Sequence, residues 1–335
     1  MKTYIIAEVG PNHNGSLEFA LEYIDALSLI GVDAIKFQLA EPKLLFSKDS
    51  KLARYQKENT KYKTPLEMIS KHQLSQSDHI KLYKRCKRNK IDYLCTGFDL
   101  KSVKFLNENF KLKYFKIASG EIFSIDILEY ISKFNKPIIL STGMANFDEI
   151  SQTIKILNSN FNKEITLLHC ISNYPAKINK VNLNVMKKLK ELFRYPVGFS
   201  DHTETIFSSI VAVSMGATII EKHVTFDKKL IGPDHKASST IEEFKELVNE
   251  IRKVEIVKGN AKNYISKSEI EIANVSRKSI VAKKNLKKNK ILSLNDFCYK
   301  RPGTGILPIF KNKIIGKKLK KNINKDKLIL FKDLI

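Results

Sequence analysis

Val197-Gly198-Phe199-Ser200-Asp201-His202 and, after one intervening stretch, Ile219-Ile220-Glu221-Lys222-His223 are short apolar runs that stop abruptly on polar residues. That is the pattern of a buried strand whose end carries chemistry. Working outward, the same unit recurs as Ile5-Ile6-Ala7 into Glu8, Ala34-Ile35 into Lys36, Tyr93-Leu94-Cys95 into Thr96, and Tyr114-Phe115 into Lys116. It returns again as Ile138-Ile139-Leu140 into Ser141 and Leu167-Leu168 into His169. Between these runs lie residues with helical spacing, such as Leu17, Ala20, Leu21, Ile24 and Leu27, or Val185, Leu189, Leu192 and Phe193. The alternation predicts parallel strands covered by helices. An open, doubly wound sheet shares it, but eight polar strand ends favour closure into an α/β (β/α)8 TIM barrel, whose strand ends converge on one mouth.

The barrel is expected over residues 1–260, its last helix running from Ile241 to Val257 and stopping near Gly259-Asn260. Residues 39–76 are too long for a simple turn between the second strand and its helix. They form either a lid over the mouth or a decorative insertion, with a short helix over Leu52–Asn59. A polar linker is expected over 261–276 and a second small domain over 277–335. In that domain Asn285 to Phe297 returns as Asn322 to Leu334 with apolar residues at matched places, an internal repeat. Between the copies, Lys300-Arg301-Pro302-Gly303 makes a rigid turn that presents a guanidinium. So short a module is marginal alone and is expected to dock on a barrel.

The formal charge of +24 raises nucleic acid, an anionic surface or acidic small molecules as partners, with about 20 basic against about 5 acidic residues after Ala261. The lysines lack the interleaved aromatics of a base-stacking platform, so nucleic acid is not an expected partner. Cys86, Cys95, Cys170 and Cys298 form no paired motif, which fits reduced thiols in a cytoplasmic protein. Tyr4–Ala7 is too short for a signal-peptide core, and no run approaches a membrane span, so no membrane partner is expected.

His202 and His223, on adjacent strand ends, point to a shared divalent metal with open positions able to polarise a carbonyl. The alternative for each is a hydrogen-bonded structural histidine. Lys36, Thr96, Lys116, Ser119, Ser141 and Ser200 occupy strand ends or the turns after them and suit a phosphate or carboxylate. Surface charge is the plain alternative for each lysine, but Lys36 lies between Ile35 and Phe37 with Gln38 on its face, and Lys116 lies between Phe115 and Ile117. Glu8, Glu121 and Asp234 either move protons beside the metal or pair with those lysines. Gly10-Pro11-Asn12-His13-Asn14-Gly15 reads as a tight turn in which His13 binds substrate or caps the turn. These residues suggest a metal-dependent condensing enzyme. An aldolase using Lys116 as a Schiff base and a basic nucleic-acid-binding protein on a degenerate barrel stay open beside it.

In order along the chain, Glu8-Val9-Gly10-Pro11-Asn12-His13-Asn14-Gly15, Lys116-Ile117-Ala118-Ser119-Gly120-Glu121, Ser141-Thr142-Gly143-Met144, Gly198-Phe199-Ser200-Asp201-His202-Thr203, Glu221-Lys222-His223, Gly232-Pro233-Asp234-His235 and Arg301-Pro302-Gly303 resemble the bacterial sialic acid (nonulosonic acid) synthases. The terminal module resembles that family's antifreeze-like SAF domain, a small β-rich β-clip fold. The resemblance implies condensation of phosphoenolpyruvate (PEP) with an open-chain N-acetylated mannosamine-type sugar to a nine-carbon α-keto acid, with phosphate release. It implies Mn2+ or Mg2+ on His202 and His223, and PEP on Lys36, Thr96, Lys116, Ser119, Ser141 and Ser200. Gln38, Glu121, Tyr174 and Asp234 would bind the sugar, with Glu8 near the metal. In a domain-swapped homodimer, Arg301 would reach the N-acetyl group in the partner subunit's site. Ser172 ahead of Asn173-Tyr174-Pro175, and Gly97 in Thr96-Gly97-Phe98-Asp99, depart from the pattern of some N-acetylneuraminate synthases. A 6-deoxy diacetamido sugar, leading to legionaminate or pseudaminate, is therefore the alternative substrate.

Overall fold

The computed structural model describes residues 2–161, 163–259 and 265–335 and divides into two compact units, Met1–Gly259 and Asn260–Ile335. In the first, eight parallel strands close on themselves: β1 (Tyr4–Glu8), β2 (Ala34–Leu39), β3 (Asp92–Gly97), β4 (Phe115–Ile117), β5 (Ile138–Ser141), β6 (Ile165–Cys170), β7 (Val197–Asp201) and β8 (Ile219–Thr225). Closure is made by β8 returning to β1, with Tyr4 opposite Ile219 and Glu8 opposite His223. A short β9 (Ser239–Thr240) pairs in parallel with Val224 and Thr225, the last two residues of β8. Each strand expected from the sequence is present, and the sheet is closed rather than open.

Helices α1 (Leu17–Ser28), α2 (Pro42–Leu45), α3 (Arg54–Asn59), α4 (Pro65–His72), α5 (Gln76–Arg88), α6 (Leu100–Asn109), α7 (Ile125–Ser132), α8 (Phe147–Leu157), α9 (Asn184–Phe193), α10 (Phe207–Ser214) and α11 (Ile241–Lys258) belong to the same unit. Ser75, Asn146 and Thr240 cap α5, α8 and α11, each accepting from the third helical amide while an acidic side chain returns the bond. Such caps are worth about 1 kcal/mol each. Three of the helices, α2 to α4, fall inside the long 39–76 segment, so that segment is structured and the expected short helix begins at Arg54. Asn59 Nδ2 donates to the Pro233 carbonyl at 3.1 Å, and Gln73 accepts from the Ala40 amide at 3.2 Å, fastening the insertion to the barrel mouth.

Strand alternation then sorts the side chains. Ile5, Ala7, Ile35, Phe37, Tyr93, Ile117, Leu140, Leu167 and Ile220 face the helices in the main core. Ile6, Ala34, Leu94, Ile139, Leu168 and Ile219 face inward and form a separate apolar layer across the barrel. Burying each leucine or isoleucine of this layer contributes roughly 1.5–3 kcal/mol, which helps offset the cost of the charges set above. Gly198 belongs to the same inward level: a Cβ there would lie 2.4 Å from the Ile219 carbonyl oxygen and 2.6 Å from Leu168 Cδ2. Two residues further along the strands the inward positions become Glu8, Lys36, Thr96, Lys116, Ser141, Cys170, Ser200 and Glu221, all buried.

The second unit contains α12 (Lys267–Ser276) and an antiparallel pair, β10 (Ser279–Ala282) with β11 (Phe297–Lys300). Part of the expected linker is thus helical, because Ser266 caps α12 and Glu269 completes the reciprocal bond. The Asn274 carbonyl accepts from the Gly303 amide at 2.7 Å, tying this helix to the module; residues 261–264 of that linker lie outside the described residues. The internal repeat pairs with itself: Leu286 bridges Ile323, and both exchange backbone hydrogen bonds. Asp296 and Asp333, at matched places in the two copies, are buried and accept from the amides of Ser293 and Leu330 at 2.9 and 3.1 Å. Leu286, Leu292, Phe297, Ile314, Leu319 and Ile329 form a core of the module's own.

Candidate active site

The inward polar layer gathers charges that would be costly singly. Lys36 Nζ lies 2.7 Å from Glu8 Oε2 and 3.7 Å from Glu221 Oε1, while Lys116 Nζ lies 3.6 Å from that same Glu221 oxygen. Lys116 donates to Ser141 Oγ at 2.9 Å, Lys36 to Thr96 Oγ1 at 3.4 Å, and Ser200 Oγ to Glu221 at 3.3 Å. Ser119 Oγ accepts from the Gly143 amide at 3.1 Å. All six residues expected to hold an anion therefore surround one cavity of about 330 Å3.

Burial and Glu221 push the Glu8 carboxyl up to about 7, against the pull of Lys36. Burial also acts on Glu221, but Lys116, Lys36 and His202 override it and hold that carboxyl below the usual range. Burial, with help from Lys36, lowers Lys116. For Lys36, burial is outweighed by Glu221 and Glu8, which raise it. The layer is thus a pair of ammonium groups already balanced by carboxylates, with hydroxyls between them.

On the rim, the rings of His202 and His223 have centroids 5.6 Å apart at 64°. His202 Nδ1 donates to the Ile171 carbonyl at 2.7 Å, so Nε2 is left as the lone-pair nitrogen, met by the hydroxyls of Tyr174 at 3.0 Å and Ser200 at 3.3 Å. His223 Nδ1 is buried without a hydrogen-bond partner and lies 3.6 Å from Asp234 Oδ2. Burial holds both imidazoles neutral, lowering His202 to about 4 and His223 well below its ordinary range. Two neutral rings, one oriented by a carbonyl and one with an orphaned nitrogen, fit a divalent cation. With metal–nitrogen bonds of about 2.1 Å, rings sharing an ion have centroids about 4.5–6 Å apart, a range that includes this pair. Among the described residues no three imidazole, thiolate or carboxylate groups converge as a ready cage, so substrate or water would complete the coordination.

A second cavity, of about 320 Å3, opens beside the first and is lined by Gln38, Glu121, Tyr174, His223 and Asp234. Gln38 Nε2 donates to Glu8 at 2.7 Å and to the Gly10 carbonyl at 2.9 Å. Burial, then Glu8, raises Asp234 to about 7, and burial raises Glu121, which accepts from the Ser124 hydroxyl. His13 turns out to cap its own turn, its Nδ1 accepting from the Gly15 amide at 3.1 Å. Arg301 belongs to the second unit, where it is exposed on the turn after β11.

A model described as the NeuB family matches residues 23–263, and one described as the SAF domain matches residues 277–335. The chain belongs to the NeuB family. This NeuB chain is 45% identical over 331 residues to the N,N'-diacetyllegionaminic acid synthase of Campylobacter jejuni, covering 98% of this chain and 99% of the relative. To the synthase of the same name from Legionella pneumophila it is 39% identical, covering 100% and 95%. The crystal structure of an N-acetylneuraminic acid (sialic acid) synthetase from Leptospira borgpetersenii, in complex with citrate, superposes with a TM-score of 0.73 at 32% identity, covering 81% of this chain and 90% of that one. The SAF domain expected at the C-terminus is the domain matched there.

Three residues lining the candidate site are absent from the sequence expectations. Glu221 was visible only beside His223, although two-residue spacing puts both on one face. Cys170, whose Sγ lies 3.1 Å from Ser119 Oγ, follows the inward Leu168 by the same spacing. Tyr55, on α3, reaches the mouth from the insertion, and no local pattern marks it.

Proposed function

We propose that this NeuB enzyme condenses PEP with an open-chain N-acetylated mannosamine-type sugar, releasing phosphate and forming a nine-carbon α-keto acid. The observation that carries the reading is that the cationic cavity and its neighbour share Gln38, Tyr174 and His223 along their boundary. An anion held in one can therefore meet a sugar held in the other beside the imidazole pair. Lys36, Thr96, Lys116, Ser119, Ser141 and Ser200 bind the phosphate and carboxylate, and Gln38, Glu121, Tyr174 and Asp234 bind the sugar. His202 and His223 would hold Mn2+ or Mg2+, which supplies Lewis acidity toward the aldehyde oxygen when bound.

The enol carbon bonds to the aldehyde carbon, water adds at the resulting cationic C2, and the bond from C2 to the phosphate oxygen breaks. Glu8 and Asp234, both near 7, are suited to take and return protons at neutral pH. The free thiols fit a cytoplasmic enzyme. A domain-swapped homodimer, with Arg301 reaching the N-acetyl group in the partner subunit's site, follows from the family resemblance.

Product mass from PEP and a panel of mannosamine derivatives is the test. An acid of the sugar-plus-pyruvate mass, with one phosphate released per product, is expected. Pyruvate trapped on Lys116 by borohydride would replace this reading with the aldolase. Salt-sensitive oligonucleotide binding without PEP turnover would replace it with the nucleic-acid reading.

A further inference from the structure

Asp201 and Lys222 line neither cavity of the candidate site. They stand opposite one another in the β7–β8 ladder, each immediately before one of the two rim histidines. Alternation turns both toward the helices while Ser200 and Glu221 face inward. There Lys222 Nζ donates to the Thr203 carbonyl at 2.6 Å and lies 3.5 Å from Asp201 Oδ2, with both side chains fully buried. Asp201 Oδ1 accepts from the Thr203 amide at 2.9 Å, and its Oδ2 from the Ser209 hydroxyl of α10 at 2.7 Å. The two charges thus hold both backbone groups of Thr203, and the chain leaving His202 is folded back onto β8.

The mouth itself fixes the rings unequally. His202 is oriented through Nδ1 by the Ile171 carbonyl, whereas His223 Nδ1 has no hydrogen-bond partner, so the place of that ring rests on packing and on the β8 backbone that carries it. A sealed ion pair is often no better for stability than apolar residues of the same volume; what it can supply is one arrangement in place of several. Resting on the metal-binding reading above, we propose that Asp201 and Lys222 are positioning residues. Their clamp on Thr203 holds the ends of β7 and β8 so that the His202 and His223 rings keep the 5.6 Å separation that one shared cation needs.

Mn2+ is titrated into the full chain without substrates, followed by electron paramagnetic resonance, and PEP into the metal-free chain by calorimetry. Asp201→Asn combined with Lys222→Met removes both charges together, so neither is stranded in the interior. This variant is expected to raise the Mn2+ Kd by about 10- to 100-fold, the effect of altering groups that hold metal ligands, with the PEP Kd within about twofold. Ser209→Ala keeps both charges and withdraws one hydrogen bond from Asp201; it is expected to raise the Mn2+ Kd by about 3- to 10-fold. Circular dichroism reports folding, and Ser209→Ala decides the matter if the double variant does not fold. An Mn2+ Kd within about twofold of wild type in the folded variant overturns the proposal, as does equal weakening of Mn2+ and PEP, which marks a general loosening. His223→Ala separates the two readings. If it binds Mn2+ as tightly as wild type, the imidazole pair is not the metal site and the clamp falls with it; if it alone loses the ion, only the clamp is overturned.

Discussion

The ring of Tyr55, carried in by the insertion, lies over the ring of Tyr174, with centroids 5.3 Å apart and 29° between planes. Tyr174 in turn stacks on His202 at 4.1 Å. One column of three rings therefore links a segment outside the barrel to the His202 imidazole, the one proposed to hold the metal. Removing its outer member by Tyr55→Ala is expected to raise the KM for the sugar by roughly 2- to 10-fold, from a stacking loss of about 0.5–1.5 kcal/mol, and to leave the KM for PEP within about twofold. Tyr55→Phe keeps the column and should behave as wild type. Steady-state kinetics with each substrate varied decides this, and equal effects of both variants would remove the stacking role.

Glu221 is the shared counter-charge of Lys36 and Lys116. In Glu221→Gln two buried ammonium groups are left with Glu8 alone, a change expected to lower stability by roughly 3–5 kcal/mol. Millimolar phosphate should recover more of the melting temperature in this variant than in wild type, because an anion can replace the lost carboxylate. Thermal unfolding with and without phosphate measures both, and an unchanged melting temperature would contradict the pairing.

Chelation should abolish phosphate release from a mixture of PEP and sugar, and added Mn2+ or Mg2+ should restore it. His223→Ala is expected to lower kcat by at least about 100-fold even with metal in excess. Full rate after exhaustive chelation would exclude the metal from the reaction.

If Arg301 acts across a swapped dimer, Arg301→Ala and His202→Ala subunits should complement each other. Random pairing gives half mixed dimers with one complete site in two, so about a quarter of wild-type activity should return on mixing after dissociation. No recovery would argue against exchange between subunits.

His13, His79 and His235 are held neutral by burial, with pKa values near 3, 4 and 4. Their folded pKa values lie below the unfolded value of about 6.5, so their contribution is fully present above that pH and is lost as pH falls toward 4. Each adds about 1.4 kcal/mol of destabilisation per pH unit within that window. His79, whose Nδ1 meets Tyr93 Oη at 2.6 Å, is the cleanest probe. His79→Gln should flatten the decline in melting temperature between pH 6.5 and 4, and an unchanged slope would show that other groups dominate.

How far the sequence revealed this arrangement follows from the range of each interaction. Lys36 and Lys116 were legible because a charge inside an apolar strand run must face inward, and alternation carried Gln38 with Lys36. The closure of β8 onto β1 was legible only from the number of strands, since no local pattern reports which strands become neighbours. Glu221 was masked by Lys222, which alternation sends the other way, to the Thr203 carbonyl at 2.6 Å. Tyr55 belongs to a segment whose place depends on long-range bonds such as Asn59 to Pro233, and spacing within the segment carries no trace of them. In the terminal module the repeat was plain in the sequence, but the mutual pairing of its copies through Leu286 and Ile323 emerges only in three dimensions.

The inward apolar layer of Ile6, Ala34, Leu94, Ile139, Leu168 and Ile219 makes the barrel a vessel with a sealed floor and one doorway. Whatever sits on Lys36 and Lys116 rests just above that floor, side by side with whatever sits between Asp234 and the insertion. Both must enter and leave through the mouth, and inorganic phosphate, once freed, contends for the same ammonium cradle as the next PEP. Product-inhibition kinetics would register this as phosphate competing with PEP.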